Sequence, residues 1–165
     1  PLEIAENIID VLSRDVRSLR SCALICRGWH SRARYHLMTT IRVQSRDELF
    51  SICDYFTFNP HLASLVRSLS VAPVEAGSLS LLEIIPVRLV SRLPNLHRYV
   101  MRNSSTSAFD IRSNGVHLNI HRTTIVQIRT YLHVDALSLG PLEFSAIAEL
   151  ARLLIALPSL RCLEC

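Results

Sequence analysis

Four hexapeptides decide how this chain folds: Val66–Val71 (VRSLSV), Leu96–Met101 (LHRYVM), Val134–Leu139 (VDALSL) and Leu160–Cys165 (LRCLEC). Each fits the template L-x-x-L-x-L, with apolar side chains at the first, fourth and sixth positions. The last three positions alternate, as a strand buried on one face requires. Their central apolar residues, Leu69, Tyr99, Leu137 and Leu163, are separated by 30, 38 and 26 residues. Two of the strands are reached through the same turn, Leu93-Pro94-Asn95-Leu96 and Leu157-Pro158-Ser159-Leu160. Between the strands lie helical patterns. Ser45 and Glu48 have capping-box spacing before Leu49, Ile52, Cys53 and Phe56. Apolar residues from Leu79 to Leu93 predict a helix that Pro86 splits or restarts. Ile125, Ile128 and Leu132 are spaced for another, and Ile147, Leu150, Leu154 and Leu157 for the clearest one. Short strands are also predicted at Ile41–Val43 and Val116–Ile120, the latter inside the long 38-residue interval.

A strand plus a helix at this interval resembles the leucine-rich-repeat solenoid. The units are degenerate, without a regular Asn or Cys at the usual loop position. An ordinary α/β domain with repetitive strands is the alternative. In a solenoid, the residues between the inward leucines face outward and line a concave surface. Here they are Ser68, Ser70, Arg98, Val100, Ala136, Ser138, Cys162 and Glu164, a mild mixed surface for a protein substrate.

Outward from the repeats, residues 1–40 read as three short helices. Ile4, Ile8, Val11 and Leu12 share one helical face, and Asp15 is placed to cap a second helix carrying Val16, Leu19, Ala23 and Cys26. Gly28 interrupts, and a third helix carries Trp29, Ala33 and Leu37, with Arg27, Arg32 and Arg34 toward solvent. Ile8, Leu12 and Ala23 read as internal packing, and Cys22 and Cys26 as small buried residues on one face. Such a unit is too small to bury a large core and needs a partner or neighbour.

This segment resembles an F-box. Pro1-Leu2-Glu3-Ile4, Ile8, Leu12, Asp15, Ser18-Leu19, Cys22, Leu24-Ile25-Cys26-Arg27 and Trp29 follow that family's order of a Leu-Pro-x-Glu-Ile opening, a central Ser-Leu and a closing Cys-Arg-x-Trp. The family's opening Leu would precede Pro1. The resemblance covers a quarter of the chain, and the arrangement with repeats behind it is similar to that of fungal F-box proteins. It implies an α+α/β chain, with an F-box at 1–40 and a repeat-like substrate-binding region at 41–165. It also implies a substrate-recognition adaptor of an SCF-type ubiquitin ligase, not an enzyme, docked on a Skp-family adaptor and through it on a cullin. Pro1, Leu2, Ile4, Leu19, Leu24, Ile25, Cys26 and Trp29 are the positions expected to contact that adaptor or support the contact. An interaction scaffold acting outside any ligase is the second reading.

Composition narrows the classes. Of 165 residues, 49% are hydrophobic and 19% charged, too apolar for disorder. The net charge of +4 is mild and spread along the chain, so nucleic-acid binding through its arginines is a distant third reading. No apolar run reaches the ~20 residues of a membrane span. Acidic Glu3, Glu6 and Asp10 stand where a signal peptide would be basic. The start at Pro1 and the stop inside a pattern at Cys165 suggest a fragment. Five scattered Cys read as reduced thiols of a cytoplasmic or nuclear protein. Cys162-x-x-Cys165 lies in a strand that would point its thiols apart, and no second Cys/His pair stands nearby, so neither metal nor cofactor is expected. Asn103-Ser104-Ser105 matches a glycosylation sequon without a secretory context, and His117 and His121 read as edge residues. All 18 basic side chains are Arg and none is Lys. Codon bias is the simple reading. In a ligase subunit, this stretch would offer no side-chain amine for self-ubiquitination.

Overall fold

The computed structural model describes residues 2–13, 15–73, 80–89, 92–102, 117–118, 120–140 and 142–165. The chain divides into two compact units, Pro1–Ile41 and Arg42–Cys165.

The first unit is helical: α1 (Leu2–Val11), α2 (Val16–Ile25) and α3 (Arg27–Thr39). Asp15 caps α2 as its short carboxylate allows, accepting from the N–H groups of Arg17 (3.0 Å) and Ser18 (3.2 Å). The break between α2 and α3 falls at Cys26, whose backbone is extended (φ −159°, ψ 167°), and not at Gly28, which lies inside α3. The core is small: Ile9, Leu19, Cys22 and Ala33, with Leu12, Ala23, Trp29 and Leu37 partly buried against it. The buried side of α1 also differs from expectation. Apolar residues occur on both sides of this helix; the core takes Ile9, and Ile4, Ile8 and Val11 are left exposed.

One network ties the ends of the unit together. The Asp10 carboxylate accepts from Arg32 Nε and Nη2 (2.6 Å each) and faces His36 Nε2 at 2.7 Å. Arg32, expected in solvent, is therefore ion-paired. Its guanidinium and the His36 ring hold the Asp10 carboxyl well below the ordinary carboxylate range.

The second unit mixes helix and sheet. Five strands form one open sheet: β1 (Thr40–Val43, which starts in the first unit's last residues), β2 (Ser68–Val71), β3 (Arg98–Met101), β5 (Ala136–Leu139) and β7 (Cys162–Glu164), in the order β1-β2-β3-β5-β7. The pairs β2–β3, β3–β5 and β5–β7 are parallel. Two further short strands, β4 (His117–Leu118) and β6 (Glu143–Phe144), pair with each other. Parallel strands need crossovers. These are supplied by α4 (Arg46–Phe58) and the short α5 (Pro60–Ala63), then α6 (Ser80–Arg88), α7 (Arg122–Ile128) and α8 (Ile147–Ile155). Helices α4, α6, α7 and α8 neighbour one another in that order.

Register follows the sequence template. Leu69, Tyr99, Leu137 and Leu163 stand side by side, as do Val71, Met101 and Leu139. The first three repeats are buried at these positions, together with Leu49, Phe56, Leu81, Ile85, Ile128 and Leu153 from the helices. The fourth is not: β7 is the sheet edge, and all its residues are exposed. At each strand start one carbonyl accepts two N–H groups of the next strand. Arg67 O serves His97 and Arg98, His97 O serves Asp135 and Ala136, and Asp135 O serves Arg161 and Cys162. The repeated turns explain their third residue. Asn95 Nδ2 donates to Ser64 O (2.8 Å) and Ser159 Oγ to Leu132 O (2.6 Å), each fastening a turn to the one before it.

Several local expectations are corrected. Pro86 lies inside α6 near its C-terminal end, and the N–H it lacks costs the helix one bond, to the Leu82 carbonyl in the preceding turn. Helix α7 ends at Ile128, and Leu132 falls in the exposed turn beyond it. In α8 the buried residue is Leu153, and Ile147 is exposed. The predicted strand Val116–Ile120 is present at His117–Leu118, while Val116, Asn119 and the Asn103 sequon lie outside the described residues.

Candidate functional site

Two surfaces hold the residues singled out from sequence, one in each unit.

In the first unit the defining feature is apolar surface that its own core does not cover. Leu24 is 87% exposed and Ile25 61%, at the C-terminal end of α2 just before the Cys26 bend. The reason is local. Leu19 and Cys22 use the inward face of this ten-residue helix, Leu24 falls on the other side, and Ile25 is the helix's last residue, beyond the reach of the small core. Ile4, Ile8, Val11 and Val16 add further exposed aliphatic groups. Of the expected contact residues, Ile4, Leu24, Ile25 and Cys26 are exposed. Trp29 is half-buried against the core. Leu19, at 1% exposure, is a core residue, placed to support such a contact by holding α2 and not to make it. Cys26 is corrected, as an exposed residue between helices with no buried face shared with Cys22. Leu2 opens α1, and Pro1 lies outside the described residues. Ile8, Val11 and Val16 were missed because an apolar residue at helical spacing carries no mark of whether a core or a partner will cover it.

In the second unit the residues expected on the concave strand face form two registered rows: Ser68, Arg98, Ala136 and Cys162, then Ser70, Val100, Ser138 and Glu164. Arg98 Nη2 donates to Glu164 Oε2. The register places β5 between these partners and offsets them by one row, so the ion pair runs diagonally over Ala136 and Ser138. Two expected contact residues are corrected: Val100 and Ser138 are buried, each on an inner strand with a registered neighbour on both sides. The open part of the face is Ser68, Ser70, Arg98, Ala136, Cys162 and Glu164, charged on one side and small on the other. At the strand starts, His97 Nδ1 lies 3.6 Å from Asp135 Oδ2, and Arg67 Nη1 lies 3.2 Å from His97 Nε2.

Among the described residues, no group of three or more His, Cys, Asp or Glu is placed to hold a metal ion, and no helix is long and apolar enough to cross a membrane. Cys162 and Cys165 are free and exposed. His121 caps α7, its Nδ1 accepting from Thr123 N–H at 3.3 Å.

No protein-family model, curated protein or solved structure matches this chain.

Proposed function

We propose that this chain is a substrate-recognition adaptor of an SCF-type ubiquitin ligase, docking through an F-box at residues 1–40 on a Skp-family adaptor and presenting substrate on the strand–helix repeats behind it. One observation carries the proposal. The three-helix unit, whose sequence resembles an F-box, keeps Leu24 and Ile25 in solvent beside the half-buried Trp29, at positions the resemblance assigns to the adaptor. Exposed aliphatic side chains of this size gain roughly 1.5–3 kcal/mol each when fully covered. A small helical unit with uncovered aliphatics suits a partner that lays its own helices over them. The parallel repeats supply a separate, milder surface for a substrate.

The test is capture of a purified Skp-family adaptor by the wild-type chain and by Leu24→Asp and Ile25→Asp. Wild type binds, and each variant loses at least about tenfold in affinity. Circular dichroism stays unchanged, because neither side chain supports the fold. A folded wild-type chain that captures no adaptor, or variants that bind as well as wild type, overturn the proposal.

A further inference from the structure

The helix side of the second unit carries a groove that the adaptor role does not use. It lies where α7 and α8 neighbour each other and encloses about 640 Å³. Its walls are Arg122, Ile125, Val126 and Arg129 from the α7 side, and Arg152 and Ile155 from α8. Val126 and Ile155 are exposed, an arrangement that leaves aliphatic surface in water between cations. No ion pair or hydrogen bond engages the three guanidinium groups among the described residues. Among the described residues, no acidic residue lines the groove. The first-turn acid of α8, Glu149, accepts from Ser145 Oγ at 2.6 Å instead.

The spacing is regular. Arg122 and Arg129 are seven residues apart, about 10.5 Å along the helix axis, with Val126 between them. Arg152 and Ile155 are three apart and share one face of α8. A bare phosphate would satisfy the arginines and leave Val126 and Ile155 uncovered. A helical segment with carboxylates two turns apart and leucine-like residues between them meets both requirements.

We propose that the α7–α8 groove binds an acidic amphipathic helix of a partner protein, its carboxylates on Arg122, Arg129 and Arg152 and its aliphatic face on Val126 and Ile155. The proposal stands independently of the adaptor reading.

The test is fluorescence anisotropy with the intact chain and a labelled synthetic helix of about four turns, leucine at helical spacing and glutamate flanking it. A peptide of the same pattern with lysine for glutamate, a uridylate oligonucleotide and vesicles of anionic lipid are the competing probes. The glutamate peptide binds saturably and the lysine peptide does not. Arg129→Glu and Arg152→Glu each weaken the glutamate peptide at least about tenfold, and the double variant gains affinity for the lysine peptide. Unchanged helical content by circular dichroism accompanies these losses, since both side chains are exposed. Absence of saturable binding, equal binding of both peptides, or an unaltered affinity in the variants overturns the proposal. So does tighter Arg-dependent binding of the oligonucleotide or the vesicles.

Discussion

Tyr99→Phe and Tyr131→Phe are expected to stabilise this protein. Tyr99 stands in the buried row of β3, and Tyr131 follows α7. Their rings stack with centroids 5.7 Å apart and planes 20° from parallel. Both hydroxyls are buried without a hydrogen-bond partner among the described residues. A buried polar group left unsatisfied costs about 1–3 kcal/mol. Replacement by phenylalanine keeps the ring and its stacking and removes only that group. Against the gain stand the few dispersion contacts of one oxygen, about 0.1–0.2 kcal/mol each. The net expectation is about 1–2 kcal/mol per substitution. The two effects fall short of additivity, because the rings touch. With a urea dependence of roughly 1–3 kcal/mol per molar, the midpoint rises by ~0.3–2 M.

A second measurement follows from the same geometry. Burial pushes the Tyr99 phenol far above its ordinary value of 10.0, and the Tyr131 phenol well up, with the Tyr99 charge a lesser cause. The folded chain therefore keeps protons that the unfolded chain releases above pH 10. The stability is fully present below that value and is lost as pH rises toward the folded values, at about 1.4 kcal/mol per pH unit for each tyrosine. With no Lys in the chain, few other groups titrate in that window. Urea unfolding followed by circular dichroism at neutral pH and near pH 11 measures both effects. The double phenylalanine variant is more stable at neutral pH and loses the alkaline decline. Destabilisation by 1 kcal/mol or more, or a decline identical to wild type, refutes the reasoning and shows that the hydroxyls are hydrogen-bonded in the folded protein.

Three other outcomes are expected. Leu19→Ala costs about 2–5 kcal/mol in unfolding followed by the fluorescence of Trp29, the only tryptophan, whereas Leu24→Ala changes it by less than about 0.5 kcal/mol. Asn95→Ala, which frees Ser64 O, costs about 0.5–1.5 kcal/mol by the same kind of measurement on circular dichroism. The depressed Asp10 carboxyl gives stability that is present above its unfolded value of 3.8 and is lost as pH falls through the folded one. Asp10→Asn therefore lowers stability at neutral pH and flattens the acid limb of Trp29 fluorescence, and an acid limb as steep as wild type would count against the network.

The sheet was legible because its signal is local. The template L-x-x-L-x-L aligns Leu69, Tyr99 and Leu137, and the register follows it. A parallel strand buried on one face leaves a period-two record that no neighbour can alter. The alternation of Val116, Leu118 and Ile120 marks the strand that holds β4, whereas β6 leaves no such record, since two residues cannot display a period. Val100 and Ser138 had the right pattern for open positions. Both stand on inner strands with a registered neighbour on each side, and that cross-strand setting has no trace in either hexapeptide.

The helices explain the remaining misses, and the misses have one physical source. In α1 and α8 the apolar residues occupy more than one face, so periodicity identifies the helix without choosing its inward side. The core selected Ile9 over Ile8 and Leu153 over Ile147. What it did not select remains as exposed aliphatic surface: Ile4, Ile8 and Val11 on α1, Ile147 and Ile155 on α8. Apolar surface left in water carries a free-energy cost that folding alone does not remove. The ambiguity of these helices in sequence and their availability to partners are therefore one property. It predicts where binding-defective, stability-neutral substitutions will be found: at the aliphatic helix positions that the core leaves exposed. Ile8→Asp and Ile155→Asp are the direct probes. Each is expected to leave the urea midpoint within about 0.5 kcal/mol of wild type, the first while weakening adaptor capture and the second while weakening the acidic peptide. Loss of stability in either would show that its side chain belongs to the core after all.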